Sequence, residues 1–357
     1  MSQITIQSQT HDDPYADLIA KFVGTTVPAA HTNSESVVEA IVQEFVGSRQ
    51  IRQGPAPTPE SLVAMKKVVR YYMEHGRPIP VLIPSAPKKK KIGASVDLAE
   101  FMMLQTIKCL QHRVSQHHAP GLEIVVRLEN NTGAVLEEGI EGALESMSRY
   151  MADLSALNYV LGTDQFLTFV PESQMADTAE FAAKARSFFP LIDASIDDPE
   201  AHAKELTSTG WQSGIKREML DYQERRYREL FPSMDEKWIK QLIVKYISCI
   251  IARLQLNSTG NRKTWDGGHL HICHVPPTPH SPASLTNTRV FYRTLPMSHS
   301  RLHKPYWGGH GVLQIDEAGS SRVKFADWDD PDLHMLDMVL SRGGTSVKLA
   351  TNYMLVD

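Results

Sequence analysis

Between residues 60 and 170, helical periodicity alternates with short apolar runs, and no other feature limits the fold as much. Leu62, Met65, Val68, Val69 and Tyr72 share one helical face, and Ser61 is placed to cap that helix. The run 78–84 has the length of a strand. Asp97 can cap a long helix from Leu98 to about His117, with Phe101, Leu104, Ile107 and Leu110 inward. His118 to Gly121 ends it, 122–128 reads as a second strand, and 129–133 reads as a turn. A helix over about 141–157 and a strand over 165–170 complete the stretch. Strand, helix and strand in rotation predict an α/β unit built on a largely parallel sheet.

The flanks read differently. Residues 1 to about 33 are polar and predict an irregular lead-in with one short helix, followed by a helix over 34–51 and a Pro-rich loop at 54–59. Residues 174 to 256 read as helical almost throughout, with interruptions near 188–193, 207–211 and 231–236. Within them, Lys216 to Leu230 alternates charge signs, the pattern of a solvated helical face laced by i,i+4 pairs; the other reading turns one of its arginines inward to an anion. Strands are expected at 268–275, 288–294, 311–315, 321–325 and 347–355, as an antiparallel or mixed sheet. The expected division is an extension (1–55), an α/β core (56–173), a helical segment (174–256) and a β-rich part (257–357) that completes the site.

Composition serves mainly to exclude. Hydrophobic residues make up 42% and charged residues 22% of the 357, the balance of an ordinary globular chain with enough length for its own core. The net charge of −4 gives no general attraction for nucleic acid. Cys109, Cys249 and Cys273 fit no zinc-ribbon spacing and suit a reducing compartment. No secretory leader and no run of 18 apolar residues is evident, so a cytoplasmic protein without a membrane role is expected.

Chemistry concentrates near the carboxyl end. Seven of fifteen histidines fall between 269 and 310: His269, His271, His274, His280, His299, His303 and His310. Arg289, Arg293, Arg301 and Lys304 lie among them, with Trp265, Tyr292, Tyr306 and Trp307. Imidazoles and cations on loops suit an anionic small molecule, with histidines moving protons. A second reading uses His269, His271 and Asp266 as iron ligands. Lys88 to Lys91 follows a predicted strand and precedes a helix, where α/β folds bind ligands; the other reading is a solvated basic loop. The chain carries no P-loop, no dinucleotide fingerprint, no GxSxG and no HExxH.

The segment from Gly76 to Glu137 resembles the pyoverdine/dityrosine biosynthesis family, which includes the isocyanide (isonitrile) synthases. The matching pieces are a Pro- and Lys-containing loop (84–91), the acidic helix start Val96-Asp97-Leu98-Ala99-Glu100, the turn 118–121, and the strand and polar turn 124–133. Two later pieces, His271-Ile272-Cys273-His274 and the run 305–312, resemble a family strand ending in histidine and a "TPWHGV" segment.

The resemblance implies a Rossmann-like sheet flanked by helices. It also implies condensation of an amino acid amine with a sugar phosphate such as ribulose 5-phosphate, with no metal or nicotinamide cofactor. On that basis Lys90, Lys91, Arg293, Arg301 and Lys304 are candidates for the phosphate, and Arg127 or Arg289 for the amino acid carboxylate. His271, His274 and His310 are candidates for proton transfer, Glu100 for orienting the amine or a lysine, and Trp307 for packing on the substrate side chain. Two other readings stay open: a histidine-ligated non-haem iron oxygenase acting on an amino acid, and a non-catalytic binder of an anionic ligand.

Overall fold

The computed structural model describes residues 5–7, 34–47, 59–85, 96, 98–128, 130–136, 143–174, 177–210, 220–221, 224, 227–228, 231–258, 265–273, 289–291, 309–316, 321–327 and 334–356. Two helices precede the first sheet. α1 (Ser34–Val46) buries Val38, Ile41, Val42 and Phe45, the stripe its sequence spacing predicts. α2 (Pro59–Glu74) buries Met65, Val68, Val69 and Tyr72. Pro59 opens it, since a first-turn residue needs no N–H partner, so Ser61 lies inside the first turn rather than capping it.

Five strands then make one parallel sheet. They are β2 (Ile79–Ser85), β3 (Leu122–Leu128), β4 (Leu167–Pro171), β5 (Leu270–Cys273) and β6 (Arg289–Phe291), in the order β4-β3-β2-β5-β6. Every neighbouring pair runs parallel. The α/β expectation therefore holds, with β2 central and later strands added on both sides. α3 (Leu98–His117) makes the crossover from β2 to β3, with Phe101, Leu104, Ile107 and Leu110 buried as predicted. Gly121 ends that crossover at φ +65, where a Cβ would stand 2.4 Å from the Gln111 side chain. α4 (Asn131–Leu136) and α5 (Ala143–Leu161) lead from β3 to β4. The expected turn at 129–133 gives way to helix from Asn131 onward.

A helical lobe follows β4. α6 (Thr178–Ser187) is capped by Asp177, whose Oδ1 accepts from the Glu180 amide at 2.8 Å. The interruption expected near 188–193 falls at Phe188, which ends α6 and precedes α7 (Phe189–Asp197); Pro190 sits in the first turn of α7, where a missing N–H costs nothing. α8 (Ala203–Ser208) and the long α9 (Glu236–Ser258) complete the described lobe. Arg228 pairs with Glu224 at 3.0 Å and with Glu236 at 3.4 Å, as the mixed-charge reading expects at that residue. Phe181, Ala185, Ile192, Leu206, Ile239, Ile243 and Ile247 form a core of their own, joined by Val135 and Leu136 of α4.

The lobe returns the chain to the sheet, so β5 and β6 add in parallel, as a long crossover requires. This corrects the expectation that those two strands belong with the later ones in an antiparallel or mixed sheet. The last strands do form a mixed sheet together with β1 (Thr5–Gln7): β7 (Gly309–Asp316), β8 (Ser321–Asp327), β9 (His334–Arg342) and β10 (Thr345–Val356), in the order β1-β9-β10-β7-β8. Only β7 and β10 pair in parallel. Its edge strand β1 (Thr5–Gln7) lies in the lead-in that the sequence reading left without strands. This sheet packs on α3 and α5, and Leu340, Val347 and Leu349 join the core of the parallel sheet. Among the described residues, no helix is long and apolar enough to cross a membrane.

Candidate functional site

β2 sends its crossover to β3 on one side, while β5 is added on the other, so the strand order reverses between β2 and β5. In open parallel sheets, ligands bind beyond the strand carboxyl ends at such a point. Backbone register sets several candidate positions on the strands that flank this point. His271 stands opposite Leu82 on one side and Arg289 on the other. Two residues further along β2, Pro84 stands opposite Arg127, which faces Val170 of β4 in turn. Arg127 is buried, at 8% exposure. Because neighbouring strands lie about 4.8 Å apart, β3, β2, β5 and β6 carry these positions across roughly 15 Å of sheet.

Glu100 lies in the first turn of α3, the helix that leaves the carboxyl end of β2. Its carboxylate is buried and accepts a hydrogen bond from Tyr150 Oη of α5 at 2.9 Å. His310 belongs to the other sheet, opposite Ala326 of β8, on a strand that packs along α3. Lys90, Lys91, His274, Arg293, Arg301, Lys304 and Trp307, together with Asp97, lie outside the described residues. The structure thus gathers His271, Arg289 and Arg127 on one sheet and sets Glu100 on the adjoining helix. His310 stands on the second sheet.

The amino edge of the parallel sheet holds a different cluster. The Trp265 ring lies 4.9 Å from that of His269, and its Nε1 donates to Glu123 Oε2 at 3.4 Å. Asp266 is exposed and pairs with Arg77 at 3.8 Å. Tyr72 Oη donates to the Gly268 carbonyl at 3.0 Å and accepts from the Gly267 amide at 3.3 Å. Burial pushes the Tyr72 phenol up. Among the described residues, no three His, Cys, Asp or Glu side chains gather closely enough to hold a metal ion.

Sequence reasoning missed one buried polar network at the carboxyl edge. Arg253 of α9 donates from Nε and Nη2 to the two carboxylate oxygens of Glu172, at 2.7 and 3.0 Å. Nη2 also donates to Thr132 Oγ1 at 2.8 Å. Glu172 follows β4 directly, and Thr132 lies in the first turn of α4. Asn131 Oδ1 accepts from Thr178 Oγ1 at 2.9 Å, and Asn130 exchanges two hydrogen bonds with Ser173. The sequence signal was an arginine inside the apolar helical run Ile250-Ile251-Ala252-Arg253-Leu254, which a purely solvated helix would not carry.

Two groups on α3 titrate away from their ordinary values. Burial pushes the Cys109 thiol up, which suits a packed thiol rather than a nucleophile. Burial lowers the Lys108 ammonium, helped by nearby Arg342, while its Nζ donates to the Leu161 carbonyl at 2.8 Å.

No family model matches the sequence, and no curated protein matches it. Among solved structures, the PvcA protein from Pseudomonas aeruginosa superposes with a TM-score of 0.55 at 14% identity, over 89% of this chain and 99% of its own. A tryptophanyl-tRNA synthetase from Aeropyrum pernix gives 0.30 at 14% identity, over 80% of this chain and 67% of its own. A tyrosyl-tRNA synthetase from Archaeoglobus fulgidus gives 0.30 at 13% identity, over 66% and 55%. The likeness to PvcA establishes a common fold along nearly the whole of both chains.

Proposed function

We propose that this chain is a biosynthetic enzyme of the isocyanide-synthase type, joining the amine of an amino acid to the ketone of a sugar phosphate such as ribulose 5-phosphate. The observation that carries the reading is the strand order β4-β3-β2-β5-β6. It sets the carboxyl ends of β2 and β5 side by side, and the two segments singled out for chemistry continue from those ends. Lys88 to Lys91 begins three residues after Ser85, and His274 is the residue after Cys273. The resemblance of residues 76–137 to that family, and the fold shared with PvcA, support the reading.

In this reading Lys90, Lys91, Arg293, Arg301 and Lys304 hold the phosphate, and Arg127 or Arg289 takes the carboxylate. Fixed cations suit both anions because charge-assisted hydrogen bonds are the stronger kind. The amine adds to the ketone carbon and water leaves to give an imine; tautomerisation then makes the proton on the carbon next to the phosphate-bearing carbon acidic, and its loss expels phosphate and leaves a C=C bond, with His271, His274 and His310 passing the protons. Glu100, held by Tyr150, orients the amine or a lysine. Trp307 packs on the amino acid side chain.

The test mixes purified protein with ribulose 5-phosphate and a pool of amino acids, then follows phosphate release and new masses. Loss of one amino acid with matching phosphate release is expected. A folded protein that consumes neither reactant defeats the reading. His274→Ala and His310→Ala should each lower turnover at least tenfold; if neither does, the acid–base roles are wrong.

A further inference from the structure

We propose that Arg253 and Glu172 are positioning residues for the candidate site: their ion pair clamps the exits of β3 and β4 to the helical lobe in a single arrangement. Three observations carry this. First, Arg253 reaches both exits at once, through Glu172 just after β4 and Thr132 four residues after β3. Second, the group is almost dry, with Glu172 at 4%, Arg253 at 8% and Thr132 at 9% exposure, and Arg253 lies 5.4 Å over the Phe181 ring. Third, the hydrogen bonds Asn131–Thr178 and Asn130–Ser173 tie the same two exits to each other and to the start of α6.

A pair this deep is a poor source of stability, because taking two charges out of water costs about as much as their attraction returns. α9 already anchors its face through Ile239, Ile243, Ile247 and Ile251. What the guanidinium adds is direction, since its planar fork satisfies a carboxylate in one orientation only. That orientation sets where α4 starts, and α4 begins three residues beyond Leu128 on the strand that carries Arg127.

The experiment compares the wild type with the double variant Arg253→Met/Glu172→Leu and with Thr132→Val. Replacing both charges by apolar groups of similar volume should leave the urea midpoint near that of the wild type. Amide hydrogen exchange across 130–136 should nevertheless rise at least tenfold in the double variant and about threefold in Thr132→Val. Exchange in β2 and β3 should stay unchanged. Wild-type exchange across 130–136 in a folded double variant overturns the clamp. If that variant does not fold, Thr132→Val decides alone, and its unchanged exchange overturns the clamp equally.

The catalytic consequence rests on the proposed reaction. With ribulose 5-phosphate and the amino acid, kcat of the double variant should drop at least tenfold with less than a threefold change in KM. Retained kcat alongside faster exchange removes the positioning role. A wild type that turns nothing over defeats the reaction but leaves the exchange result to decide the clamp.

Discussion

A carboxylate that gives up its water needs hydrogen bonds in exchange, and Glu100 receives one from Tyr150. Tyr150→Phe removes that donor while keeping the ring. A cost of about 1.5–3 kcal/mol is expected in urea unfolding, the range for hydrogen bonds to charged groups. No loss would mean that Glu100 is held by other groups. Cys109 on the same helix gives a prediction in pH. Its folded thiol pKa is raised by burial, so its contribution is intact below the unfolded thiol value of about 8.5 and is lost as pH rises through the raised one. Cys109→Ala should therefore flatten the decline of the urea midpoint above neutral pH, and an unchanged slope would place the alkaline loss elsewhere. At this scale the sequence was informative about residue type and poor about partners. A glutamate in a first helical turn is visible in the chain, whereas the tyrosine that meets it lies fifty residues away. Arg253 was passed over for the same reason, since Glu172 is 81 residues distant and no local spacing announces the pair.

Elements with strong local patterns were legible. α3 spans Leu98 to His117 as its stripe predicted, and β3 covers the expected 122–128. The failures came where one residue type serves two purposes. The Asn-rich 129–133 reads as a turn, yet its asparagines make hydrogen bonds across the sheet edge while helix begins at Asn131. β9 was missed because its apolar positions fit helix and strand about equally. The overlooked signal was Gly343-Gly344, which joins β9 to β10 by a two-residue hairpin, with φ +55 and +80. Gly344→Ala should cost about 1–2 kcal/mol from the left-handed backbone alone. Gly343→Ala should cost more, because its Cβ would stand 2.8 Å from Tyr159 Oη. Equal thermal midpoints for the two variants would show that the Tyr159 contact yields freely.

At the scale of the whole molecule, the described residues form two cores, one shared by the two sheets and one inside the helical lobe. The lobe looked like a separate helical segment, but Val135 and Leu136, which follow β3, belong to its core. The chain thus crosses from one core to the other within α4, and the Arg253–Glu172 pair sits at that crossing. Two tryptophans report on the halves separately: Trp238 packs against the lobe core, and Trp265 against the core under the sheets. In variants that keep one of these two as the only tryptophan, both signals should share a single urea midpoint, since coupled cores unfold together. Arg253→Ala leaves the Glu172 carboxylate buried without its partner, a change that typically costs about 3–5 kcal/mol. The Trp238 midpoint should then fall below the Trp265 midpoint, because the lobe loses its tie to the sheet edge while the larger core keeps its own contacts. Midpoints that fell together would show that α4 and the apolar contacts couple the cores without the ion pair.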